Sequence, residues 1–201
     1  MYAFTGTVVG LRFKDGIVLA SDTRATAYYL VLSKRLKKIF ELEEKIGAGF
    51  TGSPGDVQSL VNILRAEARL YRVTQGRPIQ TKSLTQVASN YLSSRRIFPM
   101  LVDGVIGGLD ADGPHLFFLD AIGGKIEETK FASSGTGATV AYGVLEQSYK
   151  EGMRKEEGIK LAGLAIKTAI ERDAATGDGV AIAVIDEEGY RELEETAGSS
   201  G

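Results

Sequence analysis

Residues 7–22, TVVGLRFKDGIVLASD, contain two apolar runs separated by a short polar turn. Thr7–Phe13 and 17–22 are rich in the β-branched residues that favour strands, and Lys14, Asp15 and Gly16 stand between them. An Asp-Gly pair supplies the positive φ that a tight hairpin turn uses. The stretch therefore predicts a β-hairpin near the start of the chain.

Strands and then helices follow this hairpin. Two more strands are predicted at 38–42 and 46–51, joined by the charged turn 43–45. Apolar residues then recur at helical spacing over 57–71 and again over 84–92, which predicts two amphipathic helices. Ser53 is a possible cap of the first helix, and Pro54 suits its first turn.

The second half of the chain repeats this order. Strands are predicted within 100–110 and 114–124, around a turn at 110–114, and one more at 128–132. Helices are predicted at 138–149 and 156–172, and a last strand at 179–186. Because each amphipathic face needs a partner, this order favours an α+β fold with two sheets between two pairs of helices.

Composition limits the classes of function. With 201 residues, 43% of them hydrophobic, and a net charge of −2, the chain suits one globular domain. The lack of cysteine excludes disulfides, zinc thiolate sites and cysteine nucleophiles, and favours a cytoplasmic location. No apolar run is long enough to span a membrane, and no basic run indicates nucleic acid as a partner. No partner can be placed beside the one histidine, His115, so no metal site is expected.

Five blocks of the sequence resemble proteasome β subunits, in particular archaeal ones. They are TVVGLRFKDGIVLASDTRAT (7–26), KKIF (37–40), GFTGSPGD (49–56), ASSGTGATVAYGVLE (132–146) and RDAATGDG (172–179). The resemblance implies the four-layer αββα sandwich of N-terminal-nucleophile hydrolases. It also implies a β subunit of the 20S core particle, a threonine endopeptidase that degrades unfolded proteins.

The resemblance also implies a set of catalytic residues. A threonine hydroxyl needs a base, and the α-amine of the same residue can serve if a nearby cation lowers the pKa of that amine. Lys38 matches the family's catalytic lysine, and Asp22 matches the aspartate that holds it. Asp173 matches the second acidic residue, which supports the amine, and Gly52 matches the glycine whose N–H faces the oxyanion.

Two supporting positions depart from the family pattern. Thr136 and Thr176 stand where the family tends to have serine, so each keeps a hydroxyl and adds a methyl group. The glycines around Thr136 lack the third glycine of a dinucleotide fingerprint and the lysine of a P-loop. No cofactor is therefore expected.

The nucleophile is ambiguous between two adjacent residues. Counting back without a gap from Asp22 and Lys38 puts Gly6, which has no hydroxyl, at the nucleophile position, and the subunit is then non-catalytic. Alternatively, Gly6-Thr7 is the junction at which a propeptide is removed, and Thr7 is the nucleophile. The expected organisation is a propeptide or N-terminal extension at 1–6, one β-type domain at 7–196 and a flexible tail at 197–201.

The resemblance places a substrate pocket beside this site. Its positions are occupied by Ala25, Thr26, Leu36, Phe40, Phe50 and Pro54. A phenylalanine at the pocket floor fills volume that a large substrate side chain needs. Phe50 therefore predicts cleavage after small residues if the site is active.

The partners implied are those of the assembled particle. They are α subunits and other β subunits in stacked heptameric rings, and unfolded polypeptides as substrates. A regulatory ATPase would bind the particle and not this chain. Tyr91 and Leu92, beside Ile97 and Phe98, are expected to face neighbouring subunits in part.

Overall fold

Two five-stranded antiparallel sheets form the centre of the computed structural model, which describes residues 6–193. The strands of that range are β1 (Thr7–Phe13), β2 (Gly16–Asp22), β3 (Ala25–Ala27), β4 (Leu30–Ser33), β5 (Ile39–Glu43), β6 (Ile46–Gly52), β7 (Val102–Asp110), β8 (Gly113–Leu119), β9 (Lys125–Glu128), β10 (Phe131–Gly135), β11 (Val180–Asp186) and β12 (Gly189–Leu193). The first sheet has the order β10-β1-β2-β11-β12, and the second has β5-β6-β7-β8-β9. Strands β3 and β4 pair only with each other.

Two pairs of helices cover the outer faces of the sheets. The helices are α1 (Pro54–Gln75), α2 (Thr81–Ser94), α3 (Ala138–Ser148) and α4 (Lys155–Arg172). The first pair packs on the second sheet, where Leu60 and Leu84 share a core with Phe50. The second pair packs on the first sheet through Ile166. A third core, which includes Leu116, lies between the sheets, so the prediction of a four-layer αββα sandwich is confirmed.

The first hairpin has the predicted position but a different turn. Phe13 pairs with Gly16, so only two residues connect β1 to β2. Within the described residues, neither Asp15 nor Gly16 has a positive φ, so that part of the prediction is wrong. Gly16 is required for close packing instead, because a Cβ there would lie 2.2 Å from the carbonyl oxygen of Ile185.

The region 125–135 is the largest departure from the sequence prediction. In place of one strand at 128–132, β9 ends at Glu128 and β10 begins at Phe131, and the two strands belong to different sheets. The chain thus crosses from one sheet to the other where a single strand was expected. The short strands β3, β4 and β12 were not predicted either. Pro54 begins α1 as expected, but the Ser53 side chain makes no capping hydrogen bond.

The outward-facing residues divide into two groups. Leu92 is fully buried in the core under α1 and α2, and Tyr91 packs partly against that core, so the expectation that both face neighbours is wrong for Leu92. Ile97 and Phe98, in contrast, are 87% and 86% exposed.

Residues 1–5 and the predicted tail 197–201 lie outside the described residues. Between residues 6 and 193, no helix is both long and apolar enough to cross a membrane.

Replacing Gly16 by alanine is expected to destabilise the fold by about 1–3 kcal/mol, because the added methyl group overpacks against the backbone of β11. Gly143 in α3 is the matched control, since a Cβ there meets no atom within 4 Å. Gly143→Ala is expected to stabilise the helix by roughly 0.5–1 kcal/mol. Urea unfolding of both variants tests this, and an equal effect of the two substitutions would contradict it.

Candidate active site

The carboxylate of Asp22 is the centre of the candidate site. Asp22 ends β2, is fully buried, and accepts four hydrogen bonds. Its Oδ1 accepts the backbone N–H of Thr7 at 2.8 Å and the ammonium of Lys38 at 2.5 Å. Its Oδ2 accepts the backbone N–H groups of Arg24 and Gly177, both at 3.0 Å. One carboxylate therefore joins β1, the segment after β2, the loop after α4 and the residue that precedes β5.

Lys38 is as deeply buried as its partner. Its side chain is 2% exposed, and its Nζ also donates to the backbone carbonyl of Arg24 at 2.7 Å. Burial lowers the pKa of Lys38, and the charge of Asp22 opposes that change. The structure thus brings together the lysine and the aspartate that the sequence paired.

Gly6 lies directly against this ion pair. A Cβ on Gly6 would be 2.0 Å from Lys38 Nζ and 2.4 Å from Asp22 Oδ1. The direction of a side chain at position 6 is therefore toward the Lys38 ammonium, which occupies the space that such a side chain would take. The φ of Gly6 is +84°, a conformation that favours glycine.

Thr7 is bonded to a different group of residues. Its Oγ1 lies 2.7 Å from Thr176 Oγ1 and accepts the backbone N–H of Gly137 at 3.1 Å. The hydroxyl of Thr176 donates to Asp173 Oδ2 at 2.5 Å, so its oxygen accepts the proton of the Thr7 hydroxyl. Thr7 is fully buried, and its hydroxyl is fully hydrogen-bonded: Gly137 donates to it and Thr176 accepts its proton.

Asp173 accepts hydrogen bonds from two hydroxyl groups of the candidate site. Its Oδ2 accepts the hydroxyls of Thr136 and Thr176, each at 2.5 Å. The backbone N–H of Thr136 also donates to the carbonyl oxygen of Gly6 at 2.9 Å. Both threonines therefore make hydroxyl hydrogen bonds where the family tends to have serine.

Gly52 is a position where only glycine fits, and Gly177 packs against the side chain of Arg24. Gly52 ends β6 with a φ of +123°, and a Cβ there would lie 1.9 Å from the carbonyl oxygen of Leu101. A Cβ on Gly177 would lie 2.2 Å from the guanidinium carbon of Arg24. Gly52 thus has a steric reason to be glycine, independent of any role toward an oxyanion.

Arg24 is a site residue whose contacts the sequence analysis missed. Its guanidinium donates to Asp178 Oδ2 at 3.0 Å and to the carbonyl of Ala174 at 3.1 Å, while its own carbonyl holds Lys38. Arg24 therefore ties Lys38 to the loop that carries Asp173. The signal available in the sequence was that Arg24 lies in the quoted block 7–26, while Ala174 and Asp178 lie in the quoted block 172–179.

A narrow cavity lies beside Lys38 and Gly52. Four of the predicted pocket residues line it, namely Leu36, Phe40, Phe50 and Pro54. Its volume is about 10 Å³, close to the space of one water molecule. Ala25 and Thr26 are buried at the start of β3 and do not line it.

His115 has partners that the sequence could not place. Its Nδ1 lies 3.0 Å from Glu127 Oε1, and its Nε2 lies 3.1 Å from Asp112 Oδ1. Partial burial opposes the charged ring, but the hydrogen bonds to these carboxylates raise the pKa of His115. Asp110 is close enough to complete a group with metal-ligand spacing, but its two oxygens already cap α2 at Thr81.

Comparison with known proteins gives a consistent result. The sequence profile of the family described as "Proteasome subunit" matches residues 3–185. A protein named "Proteasome subunit beta" from Methanothrix thermoacetophila is 45% identical over 192 residues, which cover 95% of this chain and 93% of that protein. The protein of the same name from Methanocaldococcus vulcanius is 46% identical over 188 residues, which cover 93% of this chain and 84% of that protein.

Asp22→Asn is expected to cost about 3–5 kcal/mol of folding free energy, because it leaves the Lys38 ammonium buried without a counter-charge. Lys38→Met is expected to cost less, since Asp22 keeps its three backbone N–H donors. Urea unfolding of the two variants measures which of them loses more free energy of unfolding. An equal or larger loss for Lys38→Met would contradict this account of the ion pair.

Proposed function

This chain belongs to the proteasome subunit family as a β subunit of the 20S particle, and we propose that it serves as a non-catalytic subunit of that peptidase complex. The observation that carries the proposal is the direction of Gly6. A threonine protease needs a hydroxyl beside its lysine, within about 3–3.5 Å of the bond that it attacks. Here the residue directed at Lys38 and Asp22 is a glycine.

Thr7 is the alternative nucleophile, and one contact favours it. Its hydroxyl is linked through Thr176 to the carboxylate of Asp173, which is a path for a proton. To meet Lys38, however, Thr7 must take the place of Gly6. That is a shift of about 3.3 Å along a strand, where the next residue faces the opposite side. The shift would also break the pairing of β1 with β2 and β10.

The cavity beside Lys38 supports the same proposal. Phe50 is 1% exposed and belongs to the core between α1, α2 and the second sheet, so it cannot leave the cavity without disrupting that core. A cavity of about 10 Å³ has no space for a large substrate side chain. If the subunit is catalytic, the preference for small residues stays a prediction.

In the proposed role, other subunits of the particle carry out the peptide hydrolysis. The chain would occupy heptameric rings together with an active β subunit, next to rings of α subunits, and its surface would line the chamber that receives unfolded polypeptides. A regulatory ATPase would contact the particle elsewhere. The cytoplasmic location expected from the sequence stays a prediction.

The assembled chain is expected to retain residues 1–5, because Gly6 has no hydroxyl with which to remove them. Intact-mass spectrometry of the assembled particle measures this directly. Thr7→Ala is expected to leave the mass unchanged apart from the substitution. A native chain that begins at Thr7, together with an unprocessed Thr7→Ala variant, would make Thr7 the nucleophile.

Gly6→Thr is expected to create peptide hydrolysis when residues 1–5 are removed from a cleavable fusion, because the new hydroxyl then lies beside Lys38. Removal of residue 5 also abolishes the positive φ of residue 6, since φ is defined by the preceding carbonyl. The Nζ and Cε atoms of Lys38 must move away from the new side chain. They can do so because they form the flexible end of the lysine side chain. Fluorogenic peptides measure hydrolysis by the chain assembled with its α subunit alone.

Two controls accompany this variant. Gly6→Ala, truncated in the same way, adds a Cβ without a hydroxyl and is expected to stay inactive. Adding Lys38→Ala to Gly6→Thr is expected to remove the gained activity. No gain in the truncated Gly6→Thr chain, together with loss of a native activity in Thr7→Ala, would reject the non-catalytic role.

A further inference from the structure

The turn between β7 and β8 brings two carboxylates to the single histidine of the chain. Asp110 ends β7 and pairs with Gly113, so Ala111 and Asp112 form a two-residue turn, and His115 follows on β8. One carboxylate oxygen of each aspartate and one ring nitrogen of His115 all lie within 4.8 Å of one another. Between residues 6 and 193, no other three histidine, aspartate or glutamate side chains form such a group. We call Asp110, Asp112 and His115 the turn cluster.

Both ring nitrogens of His115 face a carboxylate. Nδ1 lies 3.0 Å from Glu127 Oε1 on the neighbouring strand β9, and Nε2 lies 3.1 Å from Asp112 Oδ1. A neutral imidazole has only one N–H, so it can donate to only one of the two carboxylates. With that proton on Nδ1, the Nε2 lone pair faces a carboxylate oxygen, and a cation between the two atoms makes this contact favourable.

Two further contacts hold the turn cluster in the orientation that a metal ion requires. Histidines that bind metal ions donate their other ring N–H to a carboxylate, and Glu127 is placed to accept that N–H from His115. Thr81 orients Asp110, whose oxygens accept its N–H and its hydroxyl. A carboxylate has about four lone-pair sites, so these two donors leave Asp110 able to bind a cation.

The distances and the ligand types favour zinc. Two ligands of a tetrahedral zinc ion, each about 2.0–2.2 Å from the metal, are about 3.3 Å apart. The 3.1 Å between His115 Nε2 and Asp112 Oδ1 is close to that value. The side chain of Asp112 is 72% exposed, so its carboxylate is free to adjust its position. Magnesium and calcium prefer oxygen ligands alone, whereas a mixture of imidazole and carboxylate suits zinc.

The charges around the turn cluster also favour a bound cation. Two lysines are close to it: Lys82 interacts electrostatically with Asp112, and Lys125 donates to Gln86. The two carboxylates of the cluster and that of Glu127 outnumber these two cations. A divalent cation therefore enters a region that is negatively charged when the imidazole is neutral.

We propose that the turn cluster binds a zinc ion through Asp110, Asp112 and the Nε2 atom of His115. The ion would connect the β7–β8 turn to β9 through Glu127 and to α2 through Thr81, and water would complete its coordination. Binding of a metal ion by the folded chain alone stabilises the fold.

The proposed zinc site is separate from the candidate active site. Gly52 pairs with Val102 at the start of β7, whereas Asp110 ends that strand. Eight residues of strand correspond to about 26 Å. The zinc site therefore does not depend on Gly6, and failure of either proposal would leave the other unchanged.

Isothermal titration of the full chain, without a histidine tag, tests the site with zinc chloride. One zinc ion per chain is expected to bind. His115→Asn and Asp112→Asn are each expected to weaken binding at least tenfold, because each removes a ligand. Glu127→Gln is expected to weaken it about tenfold, because the amide no longer holds the ring by its charge. Asp112 is exposed in a turn, so its variant keeps the test valid if His115→Asn misfolds.

Two matched controls carry the same substitutions outside the site. Glu128→Gln changes the next residue of β9, which faces the opposite side of the strand. Asp15→Asn changes the second residue of the other two-residue turn, between β1 and β2. Both are expected to bind zinc like the native chain. No zinc binding, native affinity in His115→Asn or Asp112→Asn, an equal loss in a control, or equally tight binding of magnesium would overturn the proposal.

Chemical modification of the single histidine gives a second measurement. Diethyl pyrocarbonate acylates an imidazole nitrogen, and mass spectrometry of the peptide that contains His115 measures the rate. Zinc is expected to slow the reaction at least fivefold in the native chain and in Asp15→Asn, but not in Asp112→Asn. The absence of protection in the native chain, or equal protection in Asp112→Asn, would contradict zinc binding at this turn.

Discussion

The buried carboxylate of Asp22 is the constraint on which the arrangement of the site depends. It accepts three backbone N–H groups and one ammonium, and these come from four separate segments of the chain. A buried carboxylate is tolerated only when its charge is paired and its oxygens are hydrogen-bonded. The positions of β1, of Lys38 and of the loop after α4 are therefore coupled to each other through one side chain.

Because of that coupling, the side-chain positions of residues 6 and 7 point into different surroundings. Because the N–H of Thr7 is held by Asp22, the side-chain position of residue 6 is directed at the ion pair. The hydroxyl of Thr7 is then directed at Thr176 and Gly137. Two residues that are adjacent in sequence thus have different chemical surroundings, and a catalytic arrangement depends on which of them carries a hydroxyl beside Lys38.

Much of the fold could be predicted because its signals are local. Helical spacing placed α1 and α4 within a few residues, and alternating β-branched runs placed β1 and β2. The prediction failed at 125–135, where polar residues end one strand and apolar residues begin another in the opposite sheet. A change of sheet has no local signature, since both strands are extended and only their partners differ.

The sequence by itself determined the layered α+β order, the family, and the residue types at the site, because composition, periodicity and motif spacing are properties of the chain alone. The tertiary structure decided which groups meet. It directed Gly6 at Lys38, fixed the donor and acceptor of the Thr7 hydroxyl, and made Gly16 necessary through an oxygen of β11. The physical reason is that hydrogen bonds and steric contacts act over a few ångströms, between residues that are far apart in the sequence, such as Thr7 and Thr176, which are 169 positions apart.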